Sequence, residues 1–177
     1  LRLVSWDASH DIGQKGFNID TLIKLIAEIK NHARVFISAE NKIPKILKKY
    51  QLSINPTEIH DVLSFAELFI GEGATMASEC AIMGTPSIYI NTLSAGTLED
   101  QEQKGILYLF NSSSGLIEKT REILTNPKVK KQTKQISIDL FKNKIDINNF
   151  FYWLISDYPK GVINYNNNST IKNSSMW

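Results

Sequence analysis

Apolar residues recur along this chain at two periods, and their alternation outlines a fold. Leu1 to Trp6 is short, apolar and without helical spacing, which predicts a strand running into the polar loop Asp7 to Gly16. Ile19, Leu22, Ile23, Leu25, Ile26 and Ile29 then repeat every three or four positions, as in an amphipathic helix, and Asn18 stands where a side chain caps the first turn. Val35-Phe36-Ile37 reads as a second buried strand, followed by a basic helix over 43–50 and a short helix over 57–63. Leu68-Phe69-Ile70 is a third strand, stopping at Gly71-Glu72-Gly73. A helix is predicted to begin near Thr75 or Met76, with Met76, Cys80 and Met83 on one side and Gly84-Thr85-Pro86 as its end.

Ser87 to Ile90 resumes as a strand, 92–103 reads as a polar loop, and Ile106 to Phe110 reads as an edge strand. Helices are expected over 116–124, from Pro127 into the lysine-rich stretch, and over 148–155, where Phe150, Phe151, Tyr152 and Trp153 crowd together. Short apolar strands alternating with helices predict a parallel sheet covered on both faces, so the fold class is a Rossmann-like, doubly wound α/β. Residues 1–160 are expected to form this domain. Residues 161–177, Asn- and Ser-rich from Asn164 onward, lack the apolar content to fold and are expected to be a disordered polar tail.

Composition narrows the function classes. The 177 residues are 42% hydrophobic and 21% charged with a formal net charge of +2, so no concentrated field points to nucleic acid. The lysine clusters at 45–49 and 128–131 fall on helical segments and read as solvated faces. A single cysteine, Cys80, excludes an intramolecular disulfide and a cysteine-based zinc cage and fits a reducing cytoplasm. No apolar run approaches the roughly 20 residues of a membrane span. The chain opens without Met and already inside a strand, which predicts a fragment of a longer protein.

Ligands of doubly wound sheets bind outside the carboxyl ends of the strands, where the start of a helix offers unpaired N–H groups to an anion. Gly71 to Glu79 is such a segment. Gly71 and Gly73 make the turn, Gly73 lets a ligand approach the backbone, and the Thr75 hydroxyl can cap the helix or reach a phosphate oxygen. Glu79 lies one helical turn further, where its carboxylate can lean back and accept two ribose hydroxyls; alternatively it only complements the helix dipole. A dinucleotide fits less well, because Met76 stands where a third glycine belongs and the next strand ends in Asn91 rather than an acid. A Walker A loop is absent, and neither a cofactor nor a metal is expected.

The run Glu72-Gly73-Ala74-Thr75-Met76-Ala77-Ser78-Glu79-Cys80-Ala81-Ile82-Met83-Gly84-Thr85-Pro86 resembles, without gaps, the donor-site stretch of non-hydrolysing UDP-N-acetylglucosamine 2-epimerases and related glycosyltransferases. The likeness is nearest to a prokaryotic family of unknown function with the GT-B fold, in which a strand, a Ser-His-Asp loop and a Gly-Thr-Met turn follow in this order. The resemblance implies that Gly73, Ala74 and Thr75 hold a diphosphate and Glu79 the ribose, with Gly84 and Pro86 closing the helix. His10 matches a phosphate-side histidine only loosely, since the epimerases' neighbouring arginines are missing here, and that departure counts against the epimerase reaction itself. It further implies a C-terminal GT-B half whose partners are a nucleotide-diphosphate sugar and an N-terminal domain outside this sequence, working in surface polysaccharide or glycan synthesis.

His10, between Asp7 and Asp11, is the tentative catalytic residue, as a general acid or base; a solvated loop histidine is the alternative. His32 and His60 lack ligand spacing and read as structural, Cys80 as a core thiol. Glu99, Asp100 and Glu102 form an acidic stretch that either closes over a ligand or is solvated. The rival to an enzyme half is a non-catalytic flavodoxin-like interaction module using its aromatic helix. The aromatic face is expected to pack either on an N-terminal domain or on this domain's own sheet.

Overall fold

The computed structural model describes residues 1–5, 17–142 and 144–167. The chain divides into two compact units, Leu1–Ile138 and Asp139–Trp177.

The first unit holds a five-stranded, all-parallel sheet: β1 (Arg2–Leu3), β2 (Ser38–Ala39), β3 (Phe69–Gly71), β4 (Ser87–Ile90) and β5 (Leu107–Phe110), in the order β2-β1-β3-β4-β5. This is the Rossmann-like α/β class read from the sequence. Parallel neighbours require crossovers, and the helices supply them: α1 (Ile19–Ile29), α2 (Ile59–Phe65), α3 (Ala74–Ile82), α4 (Gly96–Gln103), α5 (Leu116–Thr125) and α6 (Pro127–Phe141), the last running past the boundary between the units. α1 packs beside α5 on the face to which Ile70 and Ile88 point, where Leu25, Ile29, Leu116, Ile123 and Val129 complete one core cluster. α3 packs on β3 and β4, with α2 and α4 on either side of it. A second cluster, Leu22, Ile26, Ile37, Ile43 and Leu47, joins α1 to the β2 edge.

Local chemistry explains most boundaries. The Asn18 side chain accepts from the Asp20 amide at 2.8 Å, which starts α1 where the cap was expected. Asn55 and Glu58 form a reciprocal capping box over a 3-10 turn, Pro56–Glu58, that leads into α2. Gly84 takes φ +86° after α3, and a Cβ there would lie 2.9 Å from Lys134 Cα, so both conformation and close approach require glycine.

Several expectations change. The second strand is Ser38–Ala39 rather than 35–37, because Ile37 turns its amide and carbonyl away from β1, toward Tyr50 and Leu52. The basic segment Lys45–Tyr50 is a 3-10 helix, entered from Pro44 and burying only Leu47. α3 starts at Ala74 and buries Ala77, Cys80 and Ala81, a face of small residues rather than the methionine side. Two thirds of the expected loop 92–103 is α4, whose sequence carries one buried leucine, Leu98, and so little apolar period to read.

The second unit contains α7 (Ile147–Ser156) and α8 (Lys160–Asn167). Asp146 caps α7 by accepting from the Asn148 and Asn149 amides. Phe150 gathers Phe151, Trp153 and Tyr165, the Tyr165 ring meeting it edge-on at 5.4 Å. A Cβ on Gly161 would come within 2.9 Å of the Leu154 carbonyl, so glycine lets α8 approach α7. Helix thus occupies the first part of the stretch expected to be an unfolded tail; residues 168–177 lie outside the described ones. No helix among the described residues is long and apolar enough to cross a membrane.

Candidate functional site

The strand order reverses between β1 and β3, the switch point of this topology, and α3 begins there, just after β3. Gly71 closes β3; a Cβ on it would meet the Phe69 ring at 2.6 Å and Arg2 Cβ at 3.0 Å, so packing alone demands glycine. Gly73, the residue before α3, has an extended φ of -91°, and a Cβ there would meet only Val4 at an ordinary 3.5 Å. Neither φ nor packing among the described residues therefore requires glycine at this position.

No side chain among the described residues caps α3. Ala77 N–H closes the first turn on the Gly73 carbonyl at 3.1 Å, while the amides of Ala74, Thr75 and Met76 have no backbone acceptor among the described residues. Thr75 is exposed. Three outward amides at the start of a nine-residue helix attract negative charge, a preference of about 0.3–1 kcal/mol at an exposed terminus.

Glu79, one turn along, is half-exposed rather than buried against the sheet. Its carboxylate meets His60 Nε2 of α2 at 3.2 Å. His32 also has a carboxylate partner, Glu28 at 3.3 Å, four residues earlier on α1. Proximity across elements, which sequence spacing cannot show, supplied the His60 partner. Cys80 is fully buried, and burial pushes its thiol up to about 12, which makes it the inert core residue expected. His10, with Asp7 and Asp11, lies outside the described residues, as does the rest of 6–16.

The sequence reading assigned no role to Glu72, and the structure gives it a prominent one. Its side chain is 3% exposed and accepts from the Val4 amide at 2.9 Å and from the Phe17 amide in a short bond. Glu40 accepts from the Ser5 amide at 3.0 Å and from Arg2 Nη2 at 2.8 Å. Two carboxylates thus pin the chain on both sides of segment 6–16. An acid between two glycines at a strand end was the available signal, masked by reading Glu72 as part of a turn.

Toward β4, Asn91 Nδ2 donates to the Glu72 carbonyl at 3.2 Å, and its Oδ1 receives the Leu93 amide at 3.0 Å. Asn91 thereby joins the turn to a hollow of about 340 Å³ at the carboxyl ends of β4 and β5, lined by the neutral groups of Thr92, Ser94, Asn111, Ser112 and Ser114. Burial pushes the neighbouring Tyr89 hydroxyl above its ordinary pKa, partly offset by its hydrogen bond to Asn91. Two acidic α4 residues bond to residues that line the hollow, Glu99 accepting from Ser94 Oγ and Glu102 from the Leu109 amide, while Asp100 pairs with Lys104. No cluster of three or more metal-ligating side chains occurs among the described residues.

No protein-family model and no curated protein sequence matches this chain. Among solved structures, the chain is similar to the glycotransferase of kitacinnamycin, with a TM-score of 0.50 and 16% identity. The likeness covers 78% of this chain and 38% of that one, so this chain spans well under half the length of that protein. At this identity the similarity establishes the fold, a glycosyltransferase-like α/β architecture.

Proposed function

We propose that this chain is the nucleotide-sugar-binding half of a GT-B enzyme, a glycosyltransferase or a UDP-sugar epimerase of surface polysaccharide or other glycan synthesis, acting in the cytoplasm. The observation that carries the reading is the set of open amides at the start of α3, at the switch point of the sheet. They receive the diphosphate, with the Thr75 hydroxyl beside them; Gly73 and Ala74 put no long side chain in the approach, and Gly71 lets the turn close against Phe69 and Arg2. Glu79 receives the ribose hydroxyls, trading its His60 contact for them. The neutral amide and hydroxyl groups of the adjoining hollow suit a sugar, which offers donors and acceptors but no charge. Backbone donors at the diphosphate stabilise it as a leaving group, the electrostatic contribution that commonly dominates such chemistry. Catalytic groups come from a second domain and from His10. Neither nucleic acid nor a bound cofactor has a role in this reading.

Calorimetric titration with UDP tests it. The native chain is expected to bind, and Glu79→Ala and Thr75→Val are each expected to weaken binding about tenfold, the equivalent of about 1.4 kcal/mol. A native chain that releases no heat, and whose Tm ignores UDP and UDP-sugars, would favour the interaction-module alternative.

A further inference from the structure

Glu79 and His60 sit on different helices, and tertiary packing alone brings them together. α2 is entered through the Pro56–Glu58 turn and packs against α3, so that His60, in the first turn of α2, meets Glu79, in the second turn of α3. The two flanks of α3 thereby differ in chemistry. On the α4 flank the neutral hollow opens at the ends of β4 and β5, and on the α2 flank an imidazole faces a carboxylate. Both flanks belong to the helix whose first amides are open.

The contact leaves capacity unused. His60 Nε2 lies 3.2 Å from Glu79 Oε2, and Glu79 Oε1 has no partner among the described residues. A carboxylate only accepts, so the imidazole presents Nε2–H to it. The two side chains are 59% and 43% exposed, so neither is packed in place and a ligand reaches both. Of the other charged groups around α2, Glu58 accepts from the Asn55 amide at 3.2 Å, and Lys130 Nζ donates to the Phe65 carbonyl and to Glu67.

A donor facing an acceptor is the complement of a hydroxyl, which accepts on its oxygen while donating its hydrogen. The two side chains need to part only to about 4.5 Å for a hydroxyl oxygen to sit between them at ordinary hydrogen-bond lengths. One bond is then replaced by two, and Oε1 is left for a hydroxyl on the neighbouring carbon. An ether, a fluorine or a hydrogen in that place cannot do the same, because none of them donates.

We propose that His60 is a further ligand-binding residue of this site and forms with Glu79 a donor–acceptor clamp for the two ribose hydroxyls of a nucleotide. One hydroxyl enters between the side chains, donating to Glu79 Oε2 and accepting from His60 Nε2–H, and its neighbour donates to Oε1. The clamp rests on the reading of Glu79 as the ribose acceptor, and it selects a ribonucleotide over one without ribose hydroxyls.

The test titrates the native chain, His60→Ala, His60→Gln and Glu79→Ala in the calorimeter with UDP and with 2′,3′-dideoxyuridine diphosphate. His60→Ala is expected to weaken UDP about fivefold and to leave the dideoxy ligand, which brings no hydroxyl to the clamp, within about twofold of native. His60→Gln, whose amide also donates, is expected to recover most of the loss. A His60→Ala chain that binds UDP within about twofold of native overturns the proposal, and a Glu79→Ala chain that still binds UDP more weakly would then leave the nucleotide reading standing. Equal losses for both ligands mean that His60 acts through the fold, and they overturn the proposal as well. If the native chain binds no UDP, the clamp falls together with the reading beneath it.

Discussion

At the carboxyl end of the sheet, Gly73 precedes α3 amides that have no backbone acceptor among the described residues, and Asn91 leads into a hollow of hydroxyl and amide groups. At the amino end, the same strands border a gap walled by Ile29, Val62, Leu63 and Leu124. The two places differ in what they admit. Where donors converge at a helix start beside neutral polar side chains, an anion or a polyol keeps its hydrogen bonds on entering. Where the walls are apolar, a charged or polar group loses its hydrogen bonds to water on entering and finds few replacements. Helix starts cluster at one end of a parallel sheet and helix ends at the other, so the asymmetry follows from the topology.

The contrast can be broken most strongly at Glu72. Glu72→Ala leaves the Val4 and Phe17 amides without their acceptor, and a loss of about 2–4 kcal/mol is expected in urea unfolding. At the amino end, Gly84→Ala forces an L-residue to φ +86° against the Lys134 backbone, with an expected loss of about 1–3 kcal/mol by the same measurement. Gly73→Val is smaller and more selective: Tm is expected to stay close to native while UDP binding weakens about tenfold in calorimetry. Equal effects of Gly73→Val on stability and on binding would show that the open space is structural.

The smallest expected effect concerns pH. The bidentate Arg121 guanidinium, at 2.7 and 2.9 Å, lowers the Glu28 carboxyl from its ordinary 4.5 to about 2, with His32 adding to it. A depressed carboxyl contributes stability above its unfolded pKa and loses it as pH falls toward the folded one. Tm is therefore expected to decline between pH 4.5 and about 2 less steeply in Glu28→Gln than in the native chain.

Legibility differed element by element. α1 was readable because six apolar residues and one cap carry a single period, and β4 because Pro86 and Asn91 bracket a short apolar run. α4 was not, since its packing rests on Leu98 and Gln101 in an otherwise polar segment. Of the candidate site, the turn at 71–75 was visible as a glycine pattern. Glu72 as the anchor of segment 6–16 was not, because its partners Val4 and Phe17 are 68 and 55 residues away.

By itself the sequence determined the class of this protein: the periods of its apolar residues decide which segments become strands and helices, and strand-helix alternation makes the sheet parallel. Only the tertiary structure decided the order β2-β1-β3-β4-β5, and with it the switch point beside Gly73 and the meeting of His60 with Glu79. The physical reason is range. Periodicity and capping act over a few residues, whereas strand order and the satisfaction of buried amides depend on groups brought together from distant parts of the chain.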